Sequence, residues 1–344
     1  MNASNCIKIA VYSLDFPHYA CADLRVVTPF RRLREHLDFR WAVQDCNGQS
    51  RIDADPAEWA DIIVVQRYFP LKETSPLLET FLASGKPVVF EIDDFLLNVP
   101  TSHTLYHNFQ RTAPFIREFL PKVDLVTVTT DALRERIVTF NPNTVTLPNL
   151  IDESAFVQAA PAADPSKTVI AYMGSPTHGK DLELVEEALF QVRDRFGSAI
   201  EFIFWGCAGT RLAKLGRIIP FDDSYASFLK TLGKVHFDIG LAPLADNAFN
   251  RCKSNIKWLE YSAYARAGIF SDLEPYRDSV EHGKTGMLAG NDPREWAEAL
   301  KYLITHPTER KIMGRNARKE AFTRFGLSRG VHRYLEIYQT LLNR

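Results

Sequence analysis

The run Asn250-Arg251-Cys252-Lys253-Ser254-Asn255-Ile256-Lys257-Trp258-Leu259-Glu260-Tyr261 follows a β-like segment, Val235-His236-Phe237-Asp238-Ile239-Gly240-Leu241-Ala242-Pro243-Leu244. A strand thus empties through a polar loop into a helix whose start carries cations and hydroxyls, which is how an α/β protein builds an anion site. At the helical period Lys253, Lys257, Glu260 and Tyr264 share one face, and Ile256, Leu259, Ala263 and Ala267 share the adjacent one. One face can pack while the other binds. Taken alone, Lys and Glu on one side of an amphipathic helix also read as a solvated surface.

Upstream of this stretch the chain alternates strand-like and helix-like segments, the pattern of a parallel sheet covered on both faces. Strands are expected at 7–13, 39–43, 61–67, 87–93, 124–130 and 144–149, with helices at 24–37, 75–83, 105–120 and 131–140. The pattern is Rossmann-like, yet the first strand runs into Leu14-Asp15-Phe16-Pro17-His18-Tyr19 rather than a G-x-G-x-x-G turn, which disfavours a dinucleotide there. The small, Pro-rich stretch 159–166 marks a linker, dividing the chain into domains 1–160 and 161–344. A second α/β series follows, with strands at 168–173 and 199–205 and a helix at 181–196. The region 292–344 is mostly helical, with Pro293 and Pro307 suited to helix starts.

With 344 residues the chain is comfortable for two α/β domains, and a formal net charge of -1 gives no electrostatic ground for nucleic acid. Cys6, Cys21, Cys46, Cys207 and Cys252 are odd in number and lack metal-ligand spacing, so free thiols are expected rather than disulfides or structural zinc. The polar 1–5 segment leads directly into a strand, and no apolar run reaches bilayer length. A cytoplasmic protein is expected, with peripheral contact at the inner membrane face left open. No G-x-S-x-G elbow or G-x-x-x-x-G-K-[ST] phosphate loop occurs.

Several residues carry candidate chemistry. The loop Gly174-Ser175-Pro176-Thr177-His178-Gly179-Lys180 joins a strand to a helix, so its backbone N–H groups can face an anion, although such loops are also plain turns. Phe90-Glu91-Ile92-Asp93-Asp94-Phe95 ends a strand, where ligands of parallel sheets gather; the two aspartates suit a ligand site or the capping of a turn. His103 and His107 stand one helical turn apart and suit either a site or a surface. Arg25, between the first strand and the next helix, suits an acceptor phosphate or solvent.

After the 250–261 run come Ala267-Gly268-Ile269-Phe270-Ser271-Asp272, Pro275-Tyr276-Arg277-Asp278-Ser279-Val280 and Glu281-His282-Gly283-Lys284-Thr285-Gly286-Met287-Leu288. In this order the elements resemble the carboxy-terminal half of a GT-B glycosyltransferase of the family-four type, where a glutamate on the helix holds a nucleotide-sugar ribose and a "G-x-T-G-x-L" turn closes the pocket. The resemblance is specific over the second half and architectural over the first. It implies an α/β GT-B architecture with two Rossmann-like domains facing a central cleft, the last helix crossing back to the first domain. Glu260 matches the second of the family's two glutamates, Cys252 stands at the first, Lys180 matches a phosphate-binding lysine, and Ser175 stands where an arginine is usual.

The resemblance further implies a transferase moving a sugar from a nucleotide-diphosphate sugar, UDP or GDP type undetermined, to a hydroxyl of a glycan, lipid-linked or protein acceptor. Retention and independence of metal or other cofactor rest on the same ground. Gly174, Ser175, Lys180, Asn250, Lys253, Ser254 and Glu260 are the donor-binding candidates; Arg25 and Asp93 face the acceptor; Asp94 and His103 are the catalytic candidates. The alternative is a weak or inactive GT-B-like partner protein that binds nucleotide or glycan, with Ser175 and Cys252 marking lost chemistry. A periplasmic-type two-lobed receptor is disfavoured by the cysteines and by the want of an export signal.

Overall fold

The computed structural model describes residues 6–46, 49–156, 160–162 and 164–343. The 1–5 segment, and Ala159 and Ala163 of the expected linker, lie outside the described residues. The strands are β1 Ile7–Ser13, β2 Leu37–Trp41, β3 Val43–Cys46, β4 Gln49–Ile52, β5 Ile62–Gln66, β6 Val88–Ile92, β7 Leu125–Val128 and β8 Thr144–Thr146, then β9 Thr168–Met173, β10 Ile200–Trp205, β11 Arg217–Ile219, β12 Ile239–Ala242, β13 Ala267–Ser271 and β14 Met287–Ala289. They form two six-stranded parallel sheets, ordered β2-β1-β5-β6-β7-β8 and β11-β10-β9-β12-β13-β14, plus a β3-β4 hairpin. The hairpin was not expected, although the Asn-Gly pair in the sequence between its strands is a hairpin signal.

β5 and β6 are buried along their whole length, as parallel strands covered on both faces must be. In each sheet the strand order reverses once, between β1 and β5 and between β9 and β12. Connections there leave in opposite directions and open a crevice at the carboxyl ends of the strands. These two crevices face each other.

Three local departures from the expected helices shape the crevices. The expected 24–37 helix starts at Ala20 and contains a π-helical turn, Asp23–Val27, in which Thr28 N–H reaches Asp23 O. Pro29 explains the turn: it has no N–H to donate, and its ring would clash with the carbonyl four residues back, that of Arg25. The expected 181–196 helix divides into Gly179–Glu183 and Glu186–Phe196. The decisive 250–264 stretch divides into Ala248–Arg251 and Ile256–Ala263.

That last division has visible causes. Asn247 caps the first piece through Asn250 N (2.9 Å), and Cys252 is tied to the first domain by Thr130 Oγ1 donating to its carbonyl (3.0 Å). The chain bends at 252–255, so Lys253 and Ser254 precede the longer helix instead of lying on it. At the far end Ala265, with φ of 54°, stops the helix, which moves Ala267 from the expected helical face into β13.

The helices Pro307–Phe325, Leu327–Gly330 and His332–Leu342 end the chain. Tyr334, Ile337, Tyr338 and Leu341 of the last helix join a buried cluster with Val26, Phe30 and Leu33 of the first domain, and Tyr338 meets Phe30 edge to face at 5.5 Å. The outgoing and returning strands of chain are paired where they pass: Ile151 N donates to Phe325 O (2.9 Å) and Leu327 N to Ile151 O (2.8 Å).

Candidate functional site

A cavity of about 660 Å³ lies between the carboxyl ends of the two sheets. Its first-domain wall is built by residues that leave strands: Asp15 after β1, Arg67 and Tyr68 after β5, Asp93 and Asp94 after β6. Arg67 takes φ of 53°, a costly conformation for a side chain of this size, and is held by its partners. Its Nη1 meets Asp93 and also Cys21 Sγ (3.1 Å), while Nε lies 3.0 Å from Asp15 Oδ2. Tyr68 Oη donates to Asp15 from the other side.

The paired aspartates diverge because their neighbours differ. Burial, opposed by Arg67 and reinforced by Asp94, pushes the Asp93 carboxyl up to about 6. Burial also works against the charged form of Asp94, but Lys253 and then Arg67 outweigh it and hold that carboxyl below the usual range. Lys253 Nζ stands 3.6 Å from Asp94 Oδ1, an ion pair across the cleft. Asn149 Nδ2 donates to Ser254 Oγ (3.0 Å), a second tie between the domains.

The second-domain wall contains Gly174, Ser175 and His178 after β9, Trp205 at the end of β10, and Lys253, Ser254, Ile256, Lys257 and Glu260 around the decisive helix. Glu260 is only 2 % exposed, and Lys257 Nζ meets it at 2.8 Å one turn earlier. Burial and the Glu260 carboxylate raise the neighbouring Tyr225 phenol. His178 Nδ1 lies 2.8 Å from Asp181 Oδ2, and Asp181 also accepts from Ala245 N and Asn250 Nδ2, each at 2.8 Å. Burial of Asp181 favours its neutral form, yet the hydrogen bond and electrostatic attraction of His178, the Ala245 N–H and the Lys253 charge together outweigh it and hold the carboxyl below the usual range. An ionised Asp181 only accepts, so His178 Nδ1 carries the proton and Nε2 is left with a lone pair. Burial in turn holds the His178 imidazole below its ordinary value, in its neutral form.

Of the residues singled out in the sequence, Arg25, Asp93, Asp94, Gly174, Ser175, Lys253, Ser254 and Glu260 line this one cavity. Three do not. Lys180 is 61 % exposed and turned to Glu183 (3.0 Å), because the short helix after β9 points it away from the cleft. Asn250 is buried behind the wall, where it supports Asp181. His103 packs between the Phe109 and Phe249 rings, each 5.6 Å away, and its Nδ1 accepts from Leu105 N (3.1 Å). Burial and the charge on Lys253 hold it below its ordinary value, so it is a neutral neighbour of the site.

Arg25 lines the cavity but is neither solvated nor free. It is 1 % exposed, with Nε 2.7 Å from Glu91 Oε1 and Nη1 donating to Leu147 O (2.6 Å) and Asn149 Oδ1 (3.2 Å). Cys252, where the family resemblance would put a carboxylate, is 1 % exposed in the core of the first domain, its thiol 3.7 Å from Ala132 O. Gly174 N–H donates to Trp205 O (3.0 Å) and is therefore spent, while Ser175 Oγ shares a hydrogen bond with Thr177 Oγ1 (2.6 Å) in which either hydroxyl can be the donor.

Sequence reasoning did not assign Arg67, Asp15, His178 or Lys257. The first two follow the strands on either side of the strand-order reversal, a position rule that would have found them once the order was known. Lys257 was on the named helix face. His178 lay within the quoted loop, but its partner Asp181 signals only through the fold.

No family model matches the chain. The structure is similar to Anabaena HepE solved with UDP and glucose, with a TM-score of 0.71 and 14 % identity over 97 % of this chain and 100 % of that one. It is likewise similar to sucrose-phosphate synthase from Thermosynechococcus elongatus, with a TM-score of 0.69 and 13 % identity over 98 % and 99 %. The chain has the GT-B fold. A curated relative, the D-inositol 3-phosphate glycosyltransferase of Thermobispora bispora, is 38 % identical over 69 residues, a match spanning 20 % of this chain and 16 % of that protein. The GT-B cleft is thus the cavity described above, between the two Rossmann-like sheets. No helix among the described residues is long and apolar enough to cross a membrane.

Proposed function

We propose that the chain transfers a glycosyl group from a nucleoside diphosphate sugar to an acceptor hydroxyl, with domain 161–344 holding the donor and domain 1–160 the acceptor. The observation that carries this reading is the convergence of Lys253, Ser254, Lys257 and Glu260 at one carboxyl sheet edge with Asp93 and Asp94 at the facing one. Glycosidic bond cleavage leaves negative charge on the diphosphate, and cations placed there beforehand favour that state without rearranging. Lys253 and Lys257 are such cations, and Ser254 Oγ adds a hydroxyl. Glu260, fixed by Lys257, accepts from ribose hydroxyls. The lone pair on His178 Nε2 is suited to accept from a hydroxyl of the transferred sugar.

The first-domain carboxylates support an acceptor role because a carboxylate accepts strongly from hydroxyls. Asp94, the more acidic of the pair, becomes available when a diphosphate takes over Lys253. Cys252 is packed away from the cavity, so the missing carboxylate leaves no gap in the donor wall. HepE was solved with UDP and with UDP-glucose, which makes UDP sugars the first donors to test. Retention at the anomeric carbon and freedom from metal are part of the proposal, the diphosphate being held by Lys253 and Lys257. The test is release of nucleoside diphosphate from UDP and GDP sugars together with mass-spectrometric detection of a glycosylated product. Failure of every nucleotide sugar to bind or to be consumed removes the reading.

A further inference from the structure

Resting on the proposal that the first domain presents the acceptor, we infer that this acceptor is an uncharged saccharide and that the wall rejects a phosphorylated one. Charge balance across the first-domain wall carries this inference. Asp15, Asp93 and Asp94 line the first-domain side together with two cations, Arg25 and Arg67. Behind them Glu91 pairs with Arg25 at 2.7 Å. Four carboxylates therefore stand against two guanidinium groups.

Neither guanidinium has charge to spare. Arg67 is shared between Asp15 at 3.0 Å and Asp93 in direct contact, with Asp94 at 4.0 Å. Arg25 is neutralised by Glu91 and spends Nη1 on Leu147 O and Asn149 Oδ1. Its Nη2 carries two N–H groups without a partner, which sugar hydroxyl oxygens can accept from, and the counter-charge to the guanidinium is already present in Glu91. Lys253, which reaches toward this wall, belongs to the opposite one and already faces Asp94.

A phosphate entering this wall would meet surplus negative charge in a partly desolvated cleft, where like charges repel far more strongly than in water. A neutral sugar meets the reverse situation. Carboxylate oxygens accept its hydroxyls, and the rings of Tyr68 and Phe109, 6.2 Å apart at 71°, offer apolar surface to its C–H face. An expectation that Arg25 binds an acceptor phosphate, natural from its place in the sequence, is thus reversed by Glu91.

The experiment offers the full-length protein, with an excess of a nucleotide sugar shown by titration to bind, an array of saccharides in matched pairs, each neutral sugar beside its monophosphate. Products are counted by mass spectrometry. At least tenfold more transfer to neutral members is expected, and Asp93→Asn should reduce that preference at least threefold. Equal or better transfer to the phosphates overturns the inference, and so does absence of product on every neutral member. A preference unchanged in folded Asp93→Asn overturns the electrostatic argument. If no nucleotide sugar binds at all, the glycosyltransferase reading itself has failed.

Discussion

Lys253→Met isolates the charge on which the donor side depends while keeping the length of the side chain. The Lys253 side chain is 15 % exposed, with Nζ 3.6 Å from Asp94 Oδ1. At that distance the gross attraction is roughly 4–5 kcal/mol for an effective dielectric of about 20. A nucleoside diphosphate must compete with this pairing, so the net value of Lys253 to the ligand is smaller than its gross one. A hydrogen bond to a charged group contributes about 1.5–3 kcal/mol, or about 10–150-fold in affinity. Because the variant has no Asp94 pair to break, the loss should fall near the lower end, about 10–30-fold. The assay is calorimetric titration of a nucleoside diphosphate and of the bare nucleoside into both proteins. The nucleoside should change little. Asp94→Asn supplies the converse, freeing Lys253 and tightening diphosphate binding severalfold, an effect that should vanish when Lys253→Met is also present. Equal losses for nucleoside and diphosphate, or a tightening that persists in the double variant, would refute the reasoning.

Arg25→Met should leave Glu91 charged and buried at a cost of about 3–5 kcal/mol, seen as a lower denaturant midpoint, with much of the loss recovered by adding Glu91→Gln. Asp93 titrates at about 6 in the folded chain, above its unfolded value, so its contribution to stability is complete below about pH 4 and is lost as pH rises through about 6. Denaturation at several pH values in that window should show this slope in the wild type and a flatter one in Asp93→Asn; parallel curves would contradict the assigned shift. For a diphosphate held by lysines, exhaustive chelation of divalent metals should leave transfer within about twofold, and loss of activity restored by one metal would reverse this expectation.

Much of the fold was legible because buried parallel strands write themselves as apolar runs, as β5 and β6 do, separated by amphipathic helices. The place of Glu260 and Lys253 on the cavity wall was legible from their position after a strand. The helix start was not, since Cys252 is anchored by Thr130, a contact 122 residues away in the chain. Lys180 misled for a related reason: its match to a family position says nothing about a short helix that turns it outward. Arg25 and Arg67 show the limit most clearly. Their meaning depends on Glu91, Asp15 and Asp93, partners supplied by neighbouring strands, and charge balance across strands is invisible until the strand order is known.

The central claim, a nucleotide sugar gripped at the edge of the second sheet with Glu260 on its ribose, is tested most directly by titrating a panel of nucleoside diphosphates into the wild-type protein and Glu260→Ala. Saturable binding of at least one nucleotide at a single site is predicted, weakened in the folded variant by about 1.5–3 kcal/mol, or about 10–150-fold. Binding of none of them, or an affinity unchanged by Glu260→Ala, would contradict the account.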